Sequence, residues 1–217
     1  MKTKEKILQQ ALKLFNTKGV NQVSSLEISQ VMNISYGNLT YHFKNKEELV
    51  LALYKRMQNE LNEAINNLVK RVFQETYYLK LVNETFEVTW KYRFVYLDLS
   101  SLMLQYETIH EAEKKYALDR EKIMTKAKEY LIREGYLKST SQVDYTLTIR
   151  SLSLLLYSWI NDARLFYKGE EVNKIDTYVA MFYNIALPNF TKKGMEKYQQ
   201  LLSQATTGQK TNSLNSH

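Results

Sequence analysis

Cysteine is absent from this 217-residue chain, which removes a disulfide framework, a zinc knuckle and a thiol nucleophile together. Proline occurs once and glycine six times, too few for a turn-rich β architecture, so helix is the expected element. The glycines stand singly. They form no loop that could cradle a phosphate or a dinucleotide, and no Gly-x-Ser-x-Gly elbow occurs. Histidine is found only at 42, 110 and 217. Glu107-x-x-His110 has the i, i+3 form of di-iron helical bundles, but such centres need two copies and the chain holds one. His110 therefore reads as a solvated or hydrogen-bonded side chain, no metal or other cofactor is expected, and the chain is not expected to be an enzyme. Long apolar runs are missing too. Leu152 to Ile160 is interrupted by serine and flanked by Arg150 and Asp162, short of the ~20 residues a spanning helix needs. Met1 to Lys6 opens with charge rather than with an apolar secretory segment. The expectation is a cytoplasmic protein without a membrane partner.

What is present is ordinary in amount and uneven in placement. Apolar residues make up 44% and charged residues 24% of the chain, as in soluble globular proteins, and the length suffices to bury a sizeable core. Net charge is +7, and residues 1–46 hold seven Lys against two Glu. A cationic front is the electrostatic footprint of a surface that meets phosphates.

Periodicity divides the chain into helices. Ile7, Ala11, Leu14 and Phe15 recur at helical spacing over roughly 3–18, and Lys18-Gly19 supplies a cation and a left-handed cap. Ser24 and Glu27 form a capping box before a two-turn helix ending near Met32. Asn33 then falls where a tight turn needs positive φ, and Ser35 caps a third helix starting at Tyr36. Asn45 and Glu48 open a fourth, whose stripe runs Leu49, Leu53, Met57, Leu61, Ile65, Leu68. Further helices are predicted over about 78–93, 95–106 and 112–134. Ile149, Leu152, Leu156, Trp159 and Ala163 then trace one seam, and Val172, Ile175, Val179, Phe182 and Ala186 a second; Gly169 separates them and Pro188 ends the last. The fold expected is all-α with about nine helices: a first unit over 1–46, a longer helical unit over 47–205, and a flexible polar tail over 206–217.

Residues 24–49 have the layout of a helix-turn-helix. Ile28, Val31, Ile34, Leu39 and Phe43 can fold against Leu8, Ala11 and Phe15, leaving Tyr36, Asn38, Tyr41 and His42 outside as groups that donate, accept and stack in a major groove. Lys46 opens the fourth helix, where backbone N–H groups and the positive helix end offer a phosphate seat.

In Leu39 to Leu49 (Leu-Thr-Tyr-His-Phe-Lys-Asn-Lys-Glu-Glu-Leu), preceded by Ser35-x-Gly37 and by the Ile7-Leu8, Ala11, Leu14-Phe15, Gly19 pattern, the chain resembles the tetracycline-repressor-like family of bacterial regulators. The likeness covers about the first 50 residues. It implies a homodimer on a near-palindromic double-stranded DNA operator, a short recognition helix in each subunit, and a divergent second unit that holds a small-molecule inducer and dimerises through its last two long helices. Carried over by position, Tyr36, Gly37 and Asn38 approach base edges, while Tyr41, His42 and Lys46 contact the phosphate backbone; Ser35 and Thr40 complete the DNA-binding set. Thr40 stands where tyrosine is frequent, and Leu26 where a polar residue often reaches the groove. The inducer is expected to be largely apolar, with Phe86, Trp90, Phe94, Tyr106, Tyr157 and Trp159 as candidate contacts. The dimer contact is expected at Leu152, Leu156, Trp159, Val179, Phe182 and Ala186. The competing reading is a helical protein-interaction regulator with no small-molecule inducer.

Overall fold

The structure, a computed structural model, describes residues 3–70, 77–140, 143–200 and 202. In order come α1 (Thr3–Lys18), α2 (Ser25–Val31), α3 (Tyr36–His42), α4 (Lys46–Lys70), α5 (Tyr77–Lys91), α6 (Arg93–Leu97), α7 (Leu99–Gln105), α8 (Glu107–Arg133), α9 (Tyr145–Phe166) and α10 (Lys174–Ala186). A further helix, α11, covers 192–200. Among the described residues there is no strand, only an isolated bridge between Leu137 and Phe190. The chain is all-α, as its composition predicts, and the tail over 206–217 lies outside the described residues.

The first four helices begin and end where their caps sit. Gly19, at φ 82°, closes α1 and donates its N–H to the Phe15 carbonyl at 2.9 Å. The Ser24 hydroxyl accepts from the Glu27 N–H at 3.0 Å and starts α2. Asn33 adopts φ 56°, a conformation asparagine tolerates better than other side-chain-bearing residues, and this turns the chain into α3. Ser35 caps α3 by accepting from the Asn38 N–H at 3.1 Å. The Asn45 side chain accepts from the Glu48 N–H and the Glu48 carboxylate from the Lys44 N–H, both at 2.9 Å. This reciprocal box fixes the start of α4.

Further along, tertiary contacts override the periodicity. The helix expected over 95–106 is split at Asp98, whose carboxylate accepts from the Val20 N–H at 3.2 Å. Asn16 grips the same joint, donating to the Lys91 carbonyl at 2.9 Å and accepting from the Phe94 N–H at 3.0 Å. Tyr106 is extended and buried, so α8 restarts at Glu107 rather than near 112. Periodicity gives no sign of α11; it is held by Thr191, whose hydroxyl donates to the Gly135 carbonyl at 2.7 Å. There Gly194 approaches the Tyr136 carbonyl so closely that a Cβ would collide with it.

One apolar core runs from Ile7, Phe15 and Leu39 through Leu49, Leu53 and Met57 to Phe86, Trp159 and Phe182. The first three helices are thus joined to the rest by shared packing, with Phe15 and Phe94 5.6 Å apart and Arg56 paired with Glu5 through two 2.7 Å bonds. Val31 departs from its expected inward position and is 55% exposed. Ile28, Leu39 and Phe43 fill the small core without it, leaving Val31 at the outer end of α2.

Candidate functional site

The expected reading face is assembled by α3. Leu39 is its buried residue, while Ser35, Tyr36, Gly37, Asn38 and Tyr41 are exposed, Tyr41 to 85%. His42 is half-buried, with its ring 5.2 Å from that of Tyr41. A Cβ on Gly37 would meet nothing within 4 Å, so no packing within the subunit requires glycine there. Thr40 is turned back on its own helix, its hydroxyl donating to the Tyr36 and Gly37 carbonyls at 3.1 and 3.2 Å. An open cleft brings Tyr36 beside Asn21, Ser24, Lys44 and Lys46. Within it, Lys46 donates its Nζ to the Val20 carbonyl at 3.0 Å, which ties the start of α4 to the turn after α1. Leu26, at the rim, is exposed.

In the second half, four of the six aromatics expected to meet an inducer are core residues: Phe86, Phe94, Tyr106 and Trp159 are buried. The Trp159 indole N–H donates to the Thr89 hydroxyl at 3.2 Å, and its ring lies 5.2 Å from Phe86 and 5.6 Å from Trp90. The ring of Trp90 carries Arg93 and Lys174 over its faces. Tyr157 is half-buried and donates to the Glu113 carboxylate at 3.3 Å. None of the six is among the described residues that line the apolar cavity of the second half.

That cavity, about 260 Å³ and partly open to the surface, is bordered by α5, α8, α9, α10 and α11. Its wall is made of residues such as Val82, Ile123, Met124, Ile149, Leu152 and Phe182, with Arg120, Lys128 and Lys197 as its cations. Four residues expected at a dimer seam, Leu152, Leu156, Phe182 and Ala186, thus face this internal space. Trp159 is in the core and Val179 is packed against it. The outward side of α9 carries Leu147, Leu154, Leu165 and Phe166, all exposed. Because α9 is apolar nearly all round, seam-like spacing picks out its inner face as readily as its outer one.

The sequence reading missed Glu113 and Arg120. Ile109, Glu113, Tyr116 and Arg120 form the buried stripe of α8, so the signal is two charges at positions that helical spacing reserves for the core. Glu113 accepts from the Tyr54 hydroxyl at 2.8 Å and from the Gln58 amide at 3.3 Å. Burial raises the Glu113 carboxyl above its ordinary range, opposed by the Tyr54 and Tyr157 hydrogen bonds and by the Arg120 charge. A carboxyl raised in the folded state keeps its proton where the unfolded chain has lost it. Its contribution is therefore full below the unfolded value and is lost as pH rises through the folded one. Glu113→Gln retains an acceptor oxygen for Tyr54 and removes the titration. The melting temperature of the wild type relative to the Gln variant is expected to fall as pH rises above about 4.5, and a pH-independent difference in calorimetry would contradict this. Elsewhere Glu107, His110 and Glu111 bring ligand atoms within 4.8 Å of one another on an exposed turn of α8.

Four capped helices with an exposed α3, continued by a helical body around an apolar cavity, define a helix-turn-helix protein with an appended helical unit. The chain belongs to the tetR family of bacterial regulatory proteins: the model of that name matches residues 7–53, and a bacterial transcriptional repressor model of the same family matches residues 52–198. It is 30% identical over 125 residues to the probable HTH-type transcriptional regulator YttP of Bacillus subtilis, a match covering 52% of this chain and 60% of that protein. It is 33% identical over 103 residues to the biofilm operon icaADBC HTH-type negative transcriptional regulator IcaR of Staphylococcus epidermidis, covering 45% of this chain and 54% of that protein. The chain thus spans between half and two thirds of the length of these relatives. In fold it is similar to a TetR-family transcriptional regulator of Marinobacter aquaeolei, with TM-score 0.79 and 20% identity over 94% of this chain and 98% of that one. No described helix is long and apolar enough to cross a membrane.

Proposed function

We propose that this protein is a homodimeric, ligand-responsive transcriptional repressor that reads a near-palindromic operator with α3 and is released from it when a small, largely apolar molecule fills the cavity. The observation that carries the reading is the division of α3, which anchors on Leu39 alone and presents Tyr36, Asn38 and Tyr41 to solvent at a cationic end of the molecule. A short helix so exposed can enter a major groove while Lys44 and the N–H groups at the start of α4 meet the flanking phosphates. Residues 1–46 are the reading head in this account, residues 47–205 the sensing and dimerising body, and the site of action is the cytoplasm, where bacterial DNA lies.

Dimerisation is assigned to the outer face of α9, where Leu147, Leu154 and Leu165 stand exposed at offsets of 7 and 11, a repeat that keeps one side of a helix. Exposed apolar rows of this kind mark interfaces. A two-fold pair would space two copies of α3 for half-sites one helical turn, ~10 bp, or a multiple apart. Leu154→Glu combined with Leu165→Glu is expected to yield a folded monomer in sedimentation, with operator affinity at least about tenfold weaker because only one half-site is held. A double variant that stays dimeric removes this face from the interface. The repressor reading itself fails if no duplex selected from a random pool competes better than bulk DNA in fluorescence anisotropy.

A further inference from the structure

The sensing reading leaves open which molecules the cavity takes, and the electrostatics of its wall narrow the choice. Arg120 lines the cavity and is only 9% exposed, yet no carboxylate among the described residues forms an ion pair with it. Its guanidinium lies over two rings, 4.4 Å from the centroid of Tyr157 and 5.5 Å from that of Tyr116. Those faces stabilise the cation. Its Nε is buried and has no hydrogen-bond partner among the described residues. A guanidinium Nε–H left unmet in an apolar site carries a desolvation cost that an acceptor within the cavity would cancel. Arg120 and Lys128 are in the described lining, which holds neither Asp nor Glu, so a negative group meets no like charge there.

Resting on the sensing reading, we infer that the ligand is an apolar monocarboxylate, its hydrocarbon body among Val82, Ile149, Leu152 and Phe182 and its carboxylate on the Arg120 guanidinium. The planar fork of arginine matches the two oxygens of a carboxylate. A volume of about 260 Å³ lies just under the range of ~300–1,000 Å³ usual for drug-sized ligands, which suits a single chain of medium length better than fused rings. The site also has a path toward the reading head. Arg120 acts electrostatically on Glu113, and Glu113 holds Tyr54 and Gln58 of α4, the helix that follows α3. An anion that draws on Arg120 weakens the hold of that cation on Glu113, two side chains from α4.

Isothermal titration of the full chain with decanoate, decanol and methyl decanoate tests the assignment. Decanoate is expected to bind the wild type at least tenfold more tightly than either neutral analogue, about 1.4 kcal/mol. Arg120→Gln should abolish that preference by weakening decanoate while leaving decanol unchanged. The wild-type comparison stands without any variant, should Arg120→Gln fail to fold. Equal binding of acid and alcohol, or a preference that survives in Arg120→Gln, overturns the carboxylate assignment while the cavity keeps its role as a sensor. If none of the three probes binds, the medium-chain carboxylate assignment fails, while the sensing reading is judged separately, by whether a mixed small-molecule extract releases the protein from its selected duplex.

Discussion

Trp159→Ala is expected to lower the free energy of unfolding by about 3–5 kcal/mol, the range for deleting a fully buried aromatic side chain. Trp159 is 0% exposed and sits among Phe86, Trp90 and Tyr178, with ring centroids 5.2, 5.6 and 5.3 Å away. Its removal leaves a void bounded by other aromatics and strips the Thr89 hydroxyl of the 3.2 Å indole bond. Trp159→Phe keeps most of the volume but gives up part of the ring packing along with that bond, so a smaller cost of about 1–3 kcal/mol is expected. Denaturant melts at several protein concentrations check the location as well as the size of the effect. A core residue destabilises equally at every concentration within each oligomeric state, whereas an interface residue acts through association and makes the loss grow on dilution. A concentration-dependent loss confined to Trp159→Ala would return this residue to the dimer interface.

Trp159 also shows where sequence could and could not speak. The first four helices were legible because their boundaries are set by local chemistry: Ser24, Ser35 and Asn45 cap helices through their own side chains, and Asn33 takes the positive φ its turn requires. The exposure of Tyr36, Asn38 and Tyr41 follows from the same periodicity that buries Leu39. Beyond α4 the determinants are distant in sequence. Asp98 interrupts a helix because Val20, 78 residues earlier, donates to it, and no window of local sequence contains that fact. α9 has apolar residues on every side, so spacing could not say which row faces the cavity and which faces solvent. The cavity itself is lined from five helices, and the two charges beside or behind its wall, Arg120 and Glu113, occupy core positions of α8. Such charges are visible in the sequence only as breaks in a buried stripe.

Substitutions at the reading head should separate affinity from stability. Asn38→Ala is expected to cost ~1–3 kcal/mol of operator binding, with the loss confined to one base step, because an asparagine amide offers a donor and an acceptor to a single base edge. Tyr36→Ala should weaken binding alongside it, since the ring is 49% exposed and meets the groove in the proposed reading. Neither change should move the melting temperature by more than the equivalent of about 0.5 kcal/mol, as is usual for surface positions. The Ser35 cap reaches the backbone N–H of residue 38, not its side chain, so α3 keeps its start in Asn38→Ala. Lys44→Ala provides the contrast: if Lys44 neutralises a phosphate as proposed, its loss lowers affinity for all sequences alike and reduces the slope of log K against log salt by about 1. Binding-site selection from a random duplex pool, repeated at several salt concentrations, distinguishes the two behaviours. If Asn38→Ala leaves the selected sequence unchanged and merely weakens binding to every duplex, α3 does not read bases through this residue, and the specificity must lie elsewhere on the exposed face.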